Sequence, residues 1–499
     1  MKKIQLIFLV CGLLICIVPF AGMLFYPTEE TAENRRPAEY PSFTTKDGGL
    51  NLEYSKEFDA WFNDHFAFRN ELVAADGYIQ GKVFGTSAEE QVIYGTDGWL
   101  YYASTLEDYM GTGCMTERER FNLKNNLEIL RDWGKEQGVE LLLTVPPNKN
   151  TLYGEHMPYY DSMIVDPKHT LEYLPRICKE AGIPYADLYS MFLNEQETLY
   201  LKRDSHWNGK GALLAYNCIM QKAEEQMNGR DGSSDEQMDG LGASSDDQLN
   251  GRDGDAEEAG DSRKKWTYRD YLDAAATRGK DADGDLNRML YSVYGEKEMD
   301  THYTIPREYS YITATENVED AWILTEAPGK TGKLVMFRDS FGNTLLPYVA
   351  NQFGRACFTK ESPYRLQKVA AEQKPDLVIF EKVERNLRDF ITQPPIIAAP
   401  KCAEDHGMGS MKRGKMFEMT FQVEQSELEI KDSPYDPDLV QIFGQVPDGI
   451  LEEDTRILLQ VNGTVYRTFH IGEKGFMVYL DRSECPKDTE PLQVILQDD

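Results

Sequence analysis

The hydrophobic pattern changes character along the chain, and each change predicts a different element. Between Ile4 and Tyr26 apolar residues run nearly unbroken, interrupted by Gln5, Pro19 and two glycines. At about 1.5 Å of rise per residue, a helix of that length just crosses a bilayer. Lys2 and Lys3 precede the run, and the positive-inside bias then leaves the rest of the chain outside the cytoplasm. A cleaved signal peptide is the alternative, because Ala21-Gly22-Met23 is a small-residue neighbourhood. The run continues through Leu24, Phe25 and Tyr26, which favours an uncleaved anchor over residues 1–26. Residues 27–50 are polar, hold three prolines and lack a helical period, so they read as a tether.

From Leu52 the period becomes helical. Phe58, Trp61, Phe62, Phe66, Phe68 and Leu72 approach i, i+3, i+4 spacing, an aromatic stripe that packs a core, and His65 within it reads as structural. Val92-Ile93-Tyr94 and Trp99-Leu100-Tyr101-Tyr102, joined by a turn from Gly95 to Gly98, predict a hairpin. Residues 116–137 predict a long helix capped by Thr116 and stopped at Gly138, and 139–145 is an apolar run of strand length halted by Pro146-Pro147. A helix is expected over 167–181, a short strand over 184–188 and helices over 209–225 and 264–276. Gly284-Asp285 opens a further helix through Leu290, with Asp285 readable as its N-cap. Residues 333–337 predict a buried strand with a helical pattern from Asn343, and 377–380 a last buried strand. Strands alternating with helices in this way predict βαβ units and a mostly parallel sheet. Ligands of such sheets gather beyond the carboxyl ends of the strands.

Two regions stand apart. Residues 226–258 contain three copies of an 11-residue unit, each opening Gln-Met or Gln-Leu and ending in an acidic pair. With ten acidic residues, two basic ones and six glycines, the stretch has too little apolar surface to offset chain entropy and reads as a disordered insertion over 226–263. Its Asp-Gly elements lack the ligand spacing of an EF-hand. Pro394-Pro395 to Pro400 read as a linker, and beyond them short strand-like runs follow one another, with Asn462-Gly463 as a hairpin turn. About 100 residues of such runs predict a small β-sandwich over 396–499, in which Tyr466, Phe476 and Tyr479 are either sugar-stacking faces or core.

Candidate chemistry lies in Asp204-Ser205-His206-Trp207 and Arg338-Asp339-Ser340-Phe341-Gly342-Asn343. A serine that transfers acyl groups needs a base to take its proton and an acid to hold that base in one tautomer. Ser340 as nucleophile, His206 as base and Asp204 as orienter fill these roles. Ser340 follows a predicted strand and precedes a predicted helix, a turn that exposes a side chain at a sheet edge beside backbone N–H groups. Read blandly, Asp-Ser after a strand is a helix N-cap and Asp-x-His-Trp a surface turn.

These segments, with Tyr94-Gly95-Thr96-Asp97-Gly98-Trp99-Leu100-Tyr101, Pro147-Asn148-Lys149 and Tyr153, Gly284-Asp285-Leu286 and Val383-Glu384-Arg385, resemble the DHHW family and the alginate O-acetylation proteins, branches of the SGNH hydrolase superfamily. The resemblance spans roughly residues 55 to 395. It implies an SGNH-like, flavodoxin-like α/β domain over 51–395, with helices on both faces of a mostly parallel sheet. It departs from the pattern in two places: Arg338 stands where many SGNH enzymes have glycine, and Ser205 where the family name has a second histidine. The resemblance implies an extracytoplasmic O-acyltransferase, most simply an O-acetyltransferase, acting on an envelope or exported polysaccharide. It further implies a multi-spanning membrane O-acyltransferase partner as acyl donor and, by position, glycan binding by the β-sandwich. Asn343 and Arg338 are candidates to hold the oxyanion, and Lys149, Tyr153 and Trp207 to line the substrate edge. An acetyl esterase with the same residues, or a silent glycan-binding scaffold, are the alternatives.

Composition narrows the partners. The 499 residues carry 84 Asp plus Glu against 53 Lys plus Arg, a formal charge of -31, which repels nucleic acid. The cysteines show no Cys-x-x-Cys spacing, so no metal site and no cofactor is expected. Cys402 and Cys485 are the first pair to test for a disulfide, against isolated thiols.

Overall fold

The computed structural model describes residues 2–23, 25, 38–45, 48–84, 86–87, 89–229, 265–291, 295–402, 418–486 and 492–498. Most of the acidic repeat region and part of the expected tether lie outside the described residues.

The centre is a seven-stranded sheet. Its strands, numbered in chain order, are β1 (Glu140–Thr144), β2 (Tyr185–Ala186), β3 (Ser310–Tyr311), β4 (Trp322–Glu326), β5 (Lys333–Phe337), β6 (Arg355–Thr359) and β7 (Leu377–Glu381). The spatial order is β2-β1-β7-β5-β6-β4-β3. The pairs β2/β1, β1/β7, β7/β5 and β5/β6 are parallel, whereas β4 runs antiparallel to both β6 and β3.

Alternation along these strands sends apolar side chains to both faces. Leu142, Leu334, Met336, Phe358 and Ile379 pack under helices Gly209–Gly229 (α3) and Gly342–Ala350 (α5). Leu141, Leu143, Val335, Phe337 and Phe380 pack under Glu117–Gln137 (α1), Thr170–Ala181 (α2) and Leu366–Gln373. The arrangement is the α/β fold expected, with helices on both sides. Helix α1 starts at a capping box of Thr116 and Glu119 and ends at Gly138, whose φ of 68° satisfies the left-handed C-cap.

Several expectations need correction. Residues 264–276 form no helix where they are described: Trp266 and Tyr271 insert into the core, Tyr271 adopts a φ of 54°, and Ala275–Ala282 pairs as a strand with Glu298–Thr304. A left-handed tyrosine ends any helix, and burying two aromatic rings outweighs the propensity of the alanines. After Tyr185–Ala186 the chain turns into a helix at Leu188, with the Asp187 side chain accepting from the Ser190 N–H at 3.0 Å. Asp285 is not an N-cap; Gly284 is, and helix Asp285–Leu290 (α4) begins at the aspartate.

The C-terminal region is two four-stranded antiparallel sheets. One orders Glu418–Val423, Leu492–Asp498, Thr455–Val461 and Thr464–Arg467; the other orders Glu429–Asp432, Leu439–Gln445, Gly475–Asp481 and Phe469–Ile471. The Asn462-Gly463 hairpin forms, both residues having positive φ. Tyr466, Phe476 and Tyr479 are buried and therefore core, not stacking faces. The proline segment is pinned: Ile396 and Ile397 are buried, and the Ile396 and Ala399 N–H groups donate to Tyr364 and Tyr479 carbonyls. Cys402 and Cys485 are both free thiols.

Lys2–Gly22 is helical over 21 residues. Among the described residues no helix is long and apolar enough to cross a membrane.

Candidate active site

Parallel strands β1, β7 and β5 are neighbours, so the segments that follow them emerge side by side at one edge of the sheet. After β5 the chain makes a tight turn through Arg338-Asp339-Ser340 into α5. The Asp339 carboxylate builds this turn, accepting from the Phe341 N–H at 2.9 Å and from the Val383 N–H, beyond β7, at 2.8 Å. Gly342 fits because it lacks a side chain: a Cβ there would sit 2.8 Å from both Arg338 Cβ and Glu381 Oε2. Ser340 is left half-buried at the rim.

The second segment arrives between Tyr200 and Trp207, which form an isolated antiparallel bridge. His206 Nε2 lies 2.7 Å from Ser340 Oγ, and His206 Nδ1 lies 2.6 Å from Asp204 Oδ1. Asp204 Oδ1 also accepts the His206 backbone N–H at 2.8 Å, so the three-residue Asp-x-His segment closes on itself. The structure thus brings Ser340, His206 and Asp204 into one hydrogen-bonded line across 134 residues of sequence. The His206 side chain is 23% exposed, open enough to meet a reactant.

Charge follows from these contacts. Burial alone would raise the Asp204 carboxyl, but the hydrogen bonds and charge of His206 bring it down to about 2. Burial alone would lower His206, yet the carboxylates of Asp204 and then Asp285 outweigh it and raise the imidazole above its usual 6.5, with Arg385 opposing. Asp204, His206 and Asp285 also bring ligand atoms within 4.8 Å of one another. Two of the three belong to the hydrogen-bonded line, and Asp285 lies beside it, 3.6 Å from His206 Nδ1.

Other predicted residues are placed differently. Arg338 is buried, donating to the carbonyls of Val318 at 2.8 Å and Asp320 at 3.0 Å and to Asn343 Oδ1. It is therefore engaged with these carbonyls and with the carbonyl end of the Asn343 amide rather than free at the rim. Lys149 is 4% exposed rather than at a substrate edge. Its Nζ donates to the carbonyls of Leu201 at 3.2 Å, Lys202 at 2.9 Å and Asp204 at 2.6 Å, and burial brings the amine down to about 7. The Tyr153 hydroxyl accepts the Leu199 N–H at 2.8 Å. Trp207 is buried edge-on against Phe341, its Nε1 donating to Thr344 Oγ1 at 2.6 Å. All three residues hold the loop from within.

Three neighbours lie in segments that carry the family resemblance but received no site role from the sequence. Glu384, buried and pushed up to about 8, accepts the Asn148 N–H and the Thr151 hydroxyl and so ties β7 to the segment after β1. Arg385 sits over the rings of Tyr102 and Phe341, at 5.4 and 5.9 Å. Asp285 approaches from α4, 80 residues beyond Ser205.

A serine, histidine and aspartate in line at the carboxyl edge of a mostly parallel sheet define a class of site, the acyl-transferring triad on an α/β fold. Within that class, residues 92–290 match the family model of the SGNH hydrolase-like domain of the acetyltransferase AlgX, and the chain resembles the alginate O-acetylation branch of the superfamily. The match includes Asp204, His206 and Asp285, with Ser340 beyond it. The chain is 26% identical over 168 residues to a probable alginate O-acetylase AlgJ of Pseudomonas syringae pv. tomato, covering 33% of this chain and 41% of that protein. It therefore spans about two-fifths of the length of the curated relatives it matches. Among solved structures it is similar to PatB1 of Bacillus cereus, at 17% identity and a TM-score of 0.41 over 59% of this chain and 96% of that one. It is also similar to a DHHW family protein of Eubacterium siraeum, at 14% identity and a TM-score of 0.36 over 53% of this chain and 85% of that one.

Proposed function

We propose that this protein is an O-acyltransferase, in the first instance an O-acetyltransferase, that modifies the hydroxyls of a polysaccharide outside the cytoplasm. The observation that carries the reading is the unbroken Ser340–His206–Asp204 line, at 2.7 and 2.6 Å. His206 takes the Ser340 proton as Oγ attacks the carbonyl carbon of an acyl ester, and the tetrahedral intermediate collapses with loss of the donor alkoxide, which His206 protonates. A sugar hydroxyl then gives its proton to His206 and attacks the acyl-serine, releasing the acylated sugar and restoring Ser340. Asp204 holds the imidazole in the tautomer that presents Nε2 to Oγ.

The oxyanion needs donors. The Ser340 backbone N–H has no partner among the described residues, and the Asn343 amide, its carbonyl end held by Arg338, supplies a second N–H. A membrane-borne acyltransferase is the donor partner in this reading, and the helix Lys2–Gly22 keeps the site beside it. That helix is not long and apolar enough to cross a membrane, but it exposes Leu6 through Val10, Leu13, Leu14, Ile17 and Val18, an apolar surface suited to lie against lipid. The β-sandwich is assigned to glycan contact by position. Hydrolysis is the second reading, favoured by the 23% exposure of the His206 side chain, which lets water serve as acceptor.

The test incubates the full-length chain in detergent with an activated acetyl ester and a panel of neutral and acidic oligosaccharides, followed by mass spectrometry of both. Acetylated saccharide formed by the wild type and absent with Ser340→Ala supports transfer. Acetate release with no saccharide product would replace transferase by esterase, and no turnover of Ser340 at all would sink both.

A further inference from the structure

The line from Ser340 to Asp204 is complete without Asp285, yet Asp285 is wound around it more tightly than a helix-end residue requires. Both of its carboxylate oxygens are taken by Ser205, the residue between the acid and the base. The Ser205 N–H donates to Asp285 Oδ1 at 2.7 Å, and the Ser205 hydroxyl donates to Asp285 Oδ2 at 2.5 Å. The Asp285 N–H in turn donates to Asp204 Oδ2 at 3.1 Å, the oxygen that His206 does not use. Both oxygens of Asp204 are therefore fixed, one by the base and one by α4. Asp285 Oδ2 itself lies 3.6 Å from His206 Nδ1, and Ser205 Oγ, its proton committed to Asp285, lies 3.3 Å from the same nitrogen.

The close approach is built in. A Cβ on Gly284 would fall 2.1 Å from the Arg203 carbonyl oxygen, so only glycine lets the start of α4 lie on the catalytic loop. The Asn287 N–H donates to that same carbonyl at 3.0 Å, and Leu286 and Leu290 anchor the helix in a cluster with Val92 and Leu100.

We propose that Asp285 is a positioning residue for His206, clamping the Asp-x-His segment through Ser205 and adding a second negative charge beside Nδ1. The role rests on the acyl-transfer reading, in which an imidazolium forms in the transition state. Two carboxylates about the ring stabilise that imidazolium more than one does, and they fix its plane against Ser340 Oγ. The charged groups facing His206 are Asp204 and Asp285, with Arg385 acting in the opposite sense. Lys149 lies behind the loop, its charge attracted by both carboxylates.

The test reads His206 directly. The full-length protein labelled with 15N-histidine is titrated by NMR, with His206→Gln assigning the resonance, in wild type and Asp285→Asn. The His206 pKa is expected to fall by about one pH unit in Asp285→Asn, while the other histidine resonances stay in place. An unmoved His206 pKa in a folded Asp285→Asn protein would reduce Asp285 to a helix-end residue. If Asp285→Asn does not fold, Ser205→Ala cuts the hydroxyl link while leaving both carboxylates. Its Ser340 acylation rate is expected to drop about tenfold, with Ser205→Thr restoring it; a wild-type rate in Ser205→Ala overturns the clamp. Failure of the broader reading is distinct, because it appears as a wild type whose Ser340 does not react, whatever the titration shows.

Discussion

At the scale of single residues, the site is governed by two coupled ionisations. Asp204 falls from 3.8 to about 2 and His206 rises above 6.5. The depressed aspartate contributes stability that is present above pH 3.8 and lost as pH falls through about 2. The raised histidine contributes stability that is present below pH 6.5 and lost as pH rises through its folded value. Both describe one ion pair and are not additive. At pH 7 the aspartate shift corresponds to about 2 kcal/mol, so Asp204→Asn should be less stable than wild type by that order. The difference should shrink between pH 4 and pH 2, as read by denaturant melts across that range. The same substitution should slow Ser340 acylation about a thousandfold, because an amide does not hold the imidazole in the required tautomer. A loss of less than tenfold, measured by stopped-flow release of an ester leaving group, would remove Asp204 from the mechanism.

At the scale of elements, the site depends on turns that allow no extra atoms and on carbonyls that need a donor. Gly342→Ala places a methyl group against Arg338 and Glu381. It should cost about 2 kcal/mol by overpacking and lower the acylation rate by moving Ser340, seen as parallel losses in melting temperature and kcat. Lys149→Met leaves the carbonyls of Leu201, Lys202 and Asp204 without their donor. A cost of about 3 kcal/mol should appear in denaturant titration, and hydrogen exchange should quicken in residues 199–207.

These examples show what the sequence could and could not disclose. The local pattern offered Asp204, His206 and Ser340, through a contact that closes within three residues and a serine between a buried strand and a helical pattern. It reads equally as a surface turn and an N-cap, and the family resemblance is what singled them out. Lys149, Tyr153 and Trp207 were found as members of the region, but not as supports pointing inward. Side-chain direction at a loop is set by tertiary packing, and no periodicity records it. Asp285 resembled an ordinary helix start, since its partners lie 80 residues away. The helix expected over 264–276 failed for the same kind of reason: two aromatic rings found a core that local propensity does not register.

At the scale of the whole molecule, the β-sandwich is fixed to the α/β unit rather than tethered to it. Phe469 belongs to the core beneath α1. The Asn125 and Asn126 side-chain amides on α1 donate to the carbonyls of Thr468 and His470 at 3.0 and 2.9 Å. Arg467 joins Asp132 at 2.6 Å and Glu128 at 2.9 Å, and Arg456 reaches the same Glu128 at 2.8 Å. His470 is sealed in this interface and held well below its usual value by burial and by Arg118, Arg456 and Arg467. Arg467→Met strands partly buried carboxylates and should cost about 3 kcal/mol. Sandwich and sheet should still unfold together in a single calorimetric transition at lower temperature; two separated transitions in the wild type would contradict a fixed pairing.

The central claim is that His206 activates Ser340. The most direct measurement is the rate of Ser340 phosphonylation by a serine-reactive phosphonate as a function of pH, followed by intact mass in wild type, His206→Ala and Ser340→Ala. A single adduct on Ser340 is predicted, with a wild-type rate that rises through a midpoint above pH 6.5 as His206 loses its proton. The dependence should vanish in His206→Ala and the adduct in Ser340→Ala. A folded wild-type protein that takes up no phosphonate, or takes it up at a rate indifferent to His206, would contradict the account.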